Sequence, residues 1–170
     1  EYLPVMLKTL TQHNVKTTFF VGGSWVSKFP EDFLCIYNAG HEIANHGFFH
    51  KQHDKLSYLD NQKEILNTHK IVKEYTGVDM TLFAPPSGAF NLDTIKAATD
   101  SGYKVIMWTR DTIDWRDKDA DVIFNRATHN MSGGDLILMH PTQATAVALD
   151  RILSYCEQNN LEVVPVSNCI

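Results

Sequence analysis

Apolar residues along this chain follow two rhythms that alternate from beginning to end. In "YLPVMLKTLTQH" they recur at helical spacing, which predicts a helix over residues 2–13. "KTTFFVGG" (16–23) is a β-branched and aromatic run closed by glycines, and predicts a buried strand. Helical spacing returns in "PEDFLCIYNAG" (30–40), with Pro30 near the start and Gly40 past the end. "HEIANH" (41–46) follows as a short strand. Ser57 then reads as the N-cap of a long helix, "YLDNQKEILNTHKIVKEYTG", stopped at Gly77. The same alternation continues with the strand "TLFAP" (81–85) and the helix "NLDTIKAATDSGY" (91–103), capped by Asn91 and stopped by Gly102. The strand "KVIMWT" (104–109) and the helix "DADVIFNRATHNM" (119–131) come next. "GGDLILMH" (133–140) is glycines and then a strand, "TAVALDRILSYCEQNN" (145–160) a helix, and "LEVVPVS" (161–167) the last strand.

Six strands, each preceded by a helix, imply parallel βαβ units and therefore an α/β sheet or barrel. No linker, low-complexity segment or charge block divides the 170 residues, which read as one domain. The chain opens on a helix where a parallel α/β fold would open on a strand. That strand is expected upstream of Glu1, and a leader or anchor there stays open.

Composition narrows the function classes. The net charge is −5, and the 15 lysines and arginines are scattered. This argues against a nucleic-acid surface, which needs a basic patch. No apolar run reaches the about 18 residues of a membrane-spanning helix. Cys35, Cys156 and Cys169 lack the CxxC spacing of zinc ribbons and redox motifs, and free thiols are the simpler reading beside a single disulfide.

In parallel α/β folds, chemistry collects at the carboxyl ends of strands. Four clusters fall there: His46 to His50, "APPSG" (84–88), "RDTIDW" (110–115) and "LMHPT" (138–142). His46 and His50 are four residues apart, close enough on one turn to share a cation, though a divalent metal needs at least one more ligand. The HExxH pattern begun by His41 and Glu42 fails at Asn45. The alternative is a pair of loop histidines with Phe48 and Phe49 packed inward. His140 closes an apolar strand, where an imidazole serves as acid or base or simply bonds a carbonyl. Asp111 and Asp114 either orient a histidine or cap the next segment, and Trp115 either walls a small apolar pocket or belongs to the core. Ser87 lacks the GxSxG elbow of a nucleophile, so "PPSG" reads as a rigid turn presenting backbone N–H groups. His13, His41, His53, His69 and His129 are assigned to surface or packing, with His53 as the spare ligand.

Taken in order, these clusters resemble the NodB-type polysaccharide deacetylases, carbohydrate esterase family 4. "HEIANHGFFH" resembles the family's metal motif, with Gly47 in its Ser/Thr position. "LFAPPSGAF" stands where the family has R-P-P-Y/F-G, "DTIDW" matches D-x-x-D-W, and "LILMH" matches L-x-L-x-H. The resemblance implies a distorted (β/α) barrel of about seven strands, the first of them missing from this chain. It implies metal-dependent removal of acetyl groups from a chitin-like or cell-wall polysaccharide. His46 and His50 would bind zinc or a similar divalent ion, with the third protein ligand unidentified. His140 would be the general acid and Asp114 would tune it. Trp115 and Leu138 would line the pocket for the acetyl methyl, and the Ser87 N–H would help hold the oxyanion. The partner would be an acetylated polysaccharide, at an extracellular or cell-envelope location.

Two departures stand out. The family's T-F-D-D-G motif, which supplies the base and a metal ligand, is not among these 170 residues and would lie just before Glu1, on the missing strand, and Ala84 replaces the arginine that holds that base. "APPSG", "MWTRDTIDW" and "LMHPT" look most like a sporulation-associated bacterial subgroup with a degenerate first motif. An active deacetylase and a non-catalytic relative that binds glycan or a protein are both left open.

Overall fold

Local chemistry sets most element ends. In the computed structural model, which describes residues 1–170, the elements in chain order are α1 (Leu3–Gln12), β1 (Thr18–Val21), α2 (Gly23–Lys28), α3 (Pro30–Asn38), β2 (Glu42–Asn45), α4 (Tyr58–Thr76), β3 (Leu82–Phe83), α5 (Leu92–Asp100), β4 (Lys104–Val105), β5 (Arg110–Asp111), α6 (Ala120–Thr128), β6 (Ile137–Leu138) and α7 (Gln143–Gln158). Prolines open α1 and α3, where the missing N–H costs nothing. Ser57 caps α4 by accepting the Asp60 N–H, and Gly77 ends it at φ +72°, a conformation glycine takes without a Cβ penalty. Asn91 and Thr94 form a reciprocal capping box on α5. Asp119 and Thr142 cap α6 and α7.

The contacts group into two compact units. Residues 18–107 carry a parallel sheet in the order β1-β2-β3-β4, with β1 and β2 paired from Thr18–Glu42 to Val21–Asn45. Helices α2 and α4, and α4 and α5, pack together, and Phe33, Ile36, Ile65, Val72 and Phe83 form a fully buried interior. Residues 1–17 with 108–170 form the other unit. There β5 and β6 pair in parallel, and α7 packs against both α1 and α6. Ile123, Ala127, Ala144, Ala148 and Ile152 are its core, with Phe124, Ile137 and Met139 against it.

The helix–strand alternation expected from the sequence is present, with three differences. Residues 23–28, taken as the closing glycines of a strand and the residues after it, form α2. "KVIMWT" is not one strand: Lys104–Val105 pairs with β3, and pairing resumes at Arg110–Asp111 with β6. "LEVVPVS" is no strand, because an apolar run becomes one only beside a ladder partner, and this one ends in a 3-10 turn at Val166–Asn168. All three cysteines are free thiols, Cys156 buried and the others exposed. No helix is long and apolar enough to cross a membrane.

Candidate functional site

Parallel pairing puts the carboxyl ends of neighbouring strands side by side. In the unit of residues 18–107, β2 and β3 end together, and two of the sequence clusters meet there. The His46 Nδ1–H donates to the Ala84 carbonyl at 2.7 Å, which fixes the tautomer carrying its lone pair on Nε2. The His46 and His50 rings lie edge to face with centroids 5.1 Å apart. His50 is exposed and takes φ +54°.

The turn bearing this pair is held from beneath by groups that the sequence did not single out. Asn45, fully buried at the end of β2, accepts the Gly47 N–H at 2.9 Å and donates to the Ile65 carbonyl and the Tyr103 hydroxyl. Glu64 on α4 accepts two successive backbone donors, Phe48 N–H at 2.9 Å and Phe49 N–H at 2.7 Å, and pairs with Lys51 at 3.0 Å. The first N–H groups of α2 bond the Gly47 and Phe48 carbonyls. The signal for Glu64 was its place on the inward face of α4, with Asn61, Ile65, Thr68 and Val72.

Gly47 has φ +72°, and a Cβ there would stand 2.8 Å from His53 Nε2. His53 cannot yield, because it is fully buried, bonded through Nδ1 to Asn61 Oδ1 at 2.6 Å and packed on Phe83. Burial lowers its pKa. These contacts engage Nδ1 and leave the buried Nε2 without a partner, and His53 forms no metal-binding group with His46 and His50. Phe49 is exposed, so only Phe48 packs inward.

The donor set at this turn is two imidazoles. No third His, Cys, Asp or Glu joins them in a group able to hold a metal ion. A zinc ion bound by protein usually takes three or four side-chain ligands, so the pair fits part of such a shell. Nearby, Ser87 is exposed at φ +56° in a turn closed by the Gly88 and Ala89 N–H groups. It is the rigid proline turn expected.

In the other unit, β5 and β6 end together and join Asp114 to His140. Asp114 is 2% exposed, while the His140 side chain is 41% exposed. One carboxylate oxygen accepts the His140 Nδ1–H at 2.7 Å. The other accepts the His140 backbone N–H and the Thr145 hydroxyl, both at 2.6 Å. Burial alone would push the Asp114 carboxyl up, but these bonds together hold it below the usual carboxylate range. The hydrogen bond to Asp114 raises the His140 pKa against its own burial. With Nδ1 committed, Nε2 is the nitrogen that exchanges a proton, and the imidazolium is an acid tuned upward. Asp114 therefore does not cap the next segment.

Trp115 is 63% exposed and is not core. Leu138 is half-buried, and its carbonyl accepts the Thr112 hydroxyl. Thr145, in the first turn of α7, was not foreseen; its only signal was a second Thr three residues after the cap Thr142.

The polysaccharide deacetylase family model matches residues 1–106. The uncharacterised protein YlxY of Bacillus subtilis is 37% identical over 91% of the chain. A peptidoglycan-N-acetylglucosamine deacetylase of Bacillus cereus is 35% identical over 90%. The chain spans 48% and 58% of these two relatives. Among solved structures, a carbohydrate esterase family 4 pseudoenzyme from Bacillus anthracis superposes with a TM-score of 0.96 at 34% identity, over 99% of this chain and 60% of that one. A mutant of that pseudoenzyme has restored enzymatic activity. The (β/α) barrel class expected from the sequence is the class of these structures.

Proposed function

From the premise that this chain belongs to the polysaccharide deacetylase family, we propose that it serves the hydrolytic removal of acetyl groups from an acetylated cell-wall glycan, at the cell envelope. The observation that carries this reading is the Asp114–His140 pair, a buried carboxylate beneath a half-exposed imidazole of raised pKa. In amide hydrolysis, water oxygen bonds to the carbonyl carbon and gives up a proton to solvent, the C–N bond breaks to leave acetate, and the nitrogen departs with a proton. His140 delivers that proton from Nε2, and Asp114 balances the charge on the ring. Trp115 and Leu138 line the place of the acetyl methyl, and the Ser87 N–H donates to the oxygen as it gains charge. His46 and His50 are the residues that would hold a divalent cation. Nitrogen donors suit zinc. Such an ion polarises a carbonyl and acidifies bound water.

A second reading has its own support. Ala84 stands where the family has arginine, the histidine pair lacks a third ligand, and a pseudoenzyme is among the similar structures. On this reading the chain binds glycan or a protein partner without turning it over.

Assay of the purified chain with N-acetylglucosamine oligomers, with and without zinc, separates the two. Zinc-dependent release of free amine is expected, falling by roughly 10²-fold or more in His140→Ala, the scale of general-acid contributions. No release above the blank would favour the second reading, and turnover unchanged in His140→Ala would remove His140 from the chemistry.

A further inference from the structure

Ile113 has φ +53°. For a β-branched residue that conformation is a genuine outlier, because the Cβ crowds the following carbonyl oxygen. It lies one residue before the carboxylate that carries His140, where a change of backbone direction decides what that carboxylate reaches.

The contacts around Ile113 oppose its relaxation. Asp111 Oδ1 accepts the Ile113 N–H at 2.8 Å, across a two-residue turn of its own backbone. Thr112, fully buried, ties itself to β6 by donating its hydroxyl to the Leu138 carbonyl at 2.8 Å. Arg126 on α6 donates to the Thr112 carbonyl at 2.9 Å. The Ile113 carbonyl accepts the Arg116 and Asp117 N–H groups. Two of these bonds hold the peptide group between Thr112 and Ile113: Arg126 holds its carbonyl from α6, and Asp111, the last residue of β5, holds its N–H.

We propose that Asp111 is a positioning residue: its carboxylate holds Ile113 in the left-handed conformation and thereby places Asp114 beneath His140. The proposal rests on the reading of His140 as the acid, but its test needs no turnover. Strained backbone clusters at active sites, where pre-organisation is one of its uses.

Asp111 also faces His140 as a charge, alongside Asp114. Positioning and charge must therefore be separated. Asparagine keeps the acceptor oxygen without the charge, and alanine keeps neither. Glycine at 113 adopts positive φ without penalty, so it reduces the need for the holding bond.

The experiment is an NMR titration of the His140 imidazole in Asp111→Asn, Asp111→Ala and Asp111→Ala/Ile113→Gly, with thermal unfolding of each. Asp111→Asn is expected to titrate close to the parent. Asp111→Ala should titrate lower by about one pH unit, as Asp114 drifts from the ring. Adding Ile113→Gly should restore most of that loss. Equal falls in Asp111→Asn and Asp111→Ala would show charge alone and overturn the proposal, as would parent-like titration in all three. If Asp111→Ala does not fold, the double variant decides: folding with near-parent titration supports the proposal, and failure to fold overturns it. Failure of the acid reading shows separately, as turnover that survives His140→Ala while this titration pattern stands.

Discussion

Asp114 accepts three hydrogen bonds, from the His140 ring, the His140 backbone N–H and the Thr145 hydroxyl, and its charge pairs with the ring only where both groups are ionised. The folded pKa of His140 is raised above 6.5, so its contribution is fully present below pH 6.5 and is lost as pH rises through the folded value. The folded pKa of Asp114 is depressed below 3.8, so its contribution is fully present above pH 3.8 and is lost as pH falls through the folded value. The pair therefore stabilises most between pH 3.8 and 6.5. Asp114→Asn keeps the shape but offers an amide that cannot satisfy His140 N–H, His140 Nδ1–H and Thr145 together. We expect its melting temperature to fall furthest below the parent's inside that window, with a loss of about 1–3 kcal/mol. Melting curves across pH check this. A deficit that does not change with pH would mean that shape, not charge, carries the bond. The pH–rate profile should move as well: an acid of lower pKa is deprotonated sooner, so the alkaline limb shifts to lower pH.

At the scale of elements, the sequence was most legible where one residue decides. Ser57 and Asn91 start helices and Gly77 stops one, through bonds and backbone angles that depend only on local chemistry, and they stand where expected. The family resemblance implies that Asp114 sits beside His140, and the two meet because both follow strands that pair in parallel. What was not legible depends on distant partners. "LEVVPVS" has the apolar alternation of a strand and no ladder. Gly22 and Gly23 read as a stop, yet Gly23 opens α2 and is needed because a Cβ there would meet Phe48 at 2.3 Å. The role of Glu64 depends on α4 lying under a turn some fifteen residues earlier in the chain. Removing that carboxylate tests whether α4 holds the histidine turn. Glu64→Ala leaves the Phe48 and Phe49 amides without their acceptor, at about 1–3 kcal/mol for a buried donor. Glu64→Gln keeps an acceptor oxygen and loses the Lys51 pairing, so it should fall between. Urea unfolding ranks the three proteins, and zinc titration reads the His46–His50 pair. Unchanged zinc affinity in a folded Glu64→Ala would show that the turn keeps its shape without α4.

For the molecule as a whole, the open quantity is how much free energy a metal adds to 170 residues that offer it two imidazoles. Binding to the native chain alone raises stability by RT ln(1 + [L]/Kd), about 2.7 kcal/mol at a hundredfold excess over Kd. Two nitrogen ligands leave the rest of a zinc shell to water, so affinity should lie well below that of a three-ligand site. Saturation then needs more zinc, but the stabilisation at a given multiple of Kd is the same. A thermal melt at increasing zinc should therefore show a rising melting temperature in the parent. His50→Ala, at an exposed position, should fold as the parent does and show no rise. A rise in both proteins would place the ion elsewhere on the chain. No rise in the parent would remove metal from these residues. The chain would then share the family's fold and its Asp114–His140 pair while lacking the means to activate water, and glycan binding without turnover would be the reading that survives.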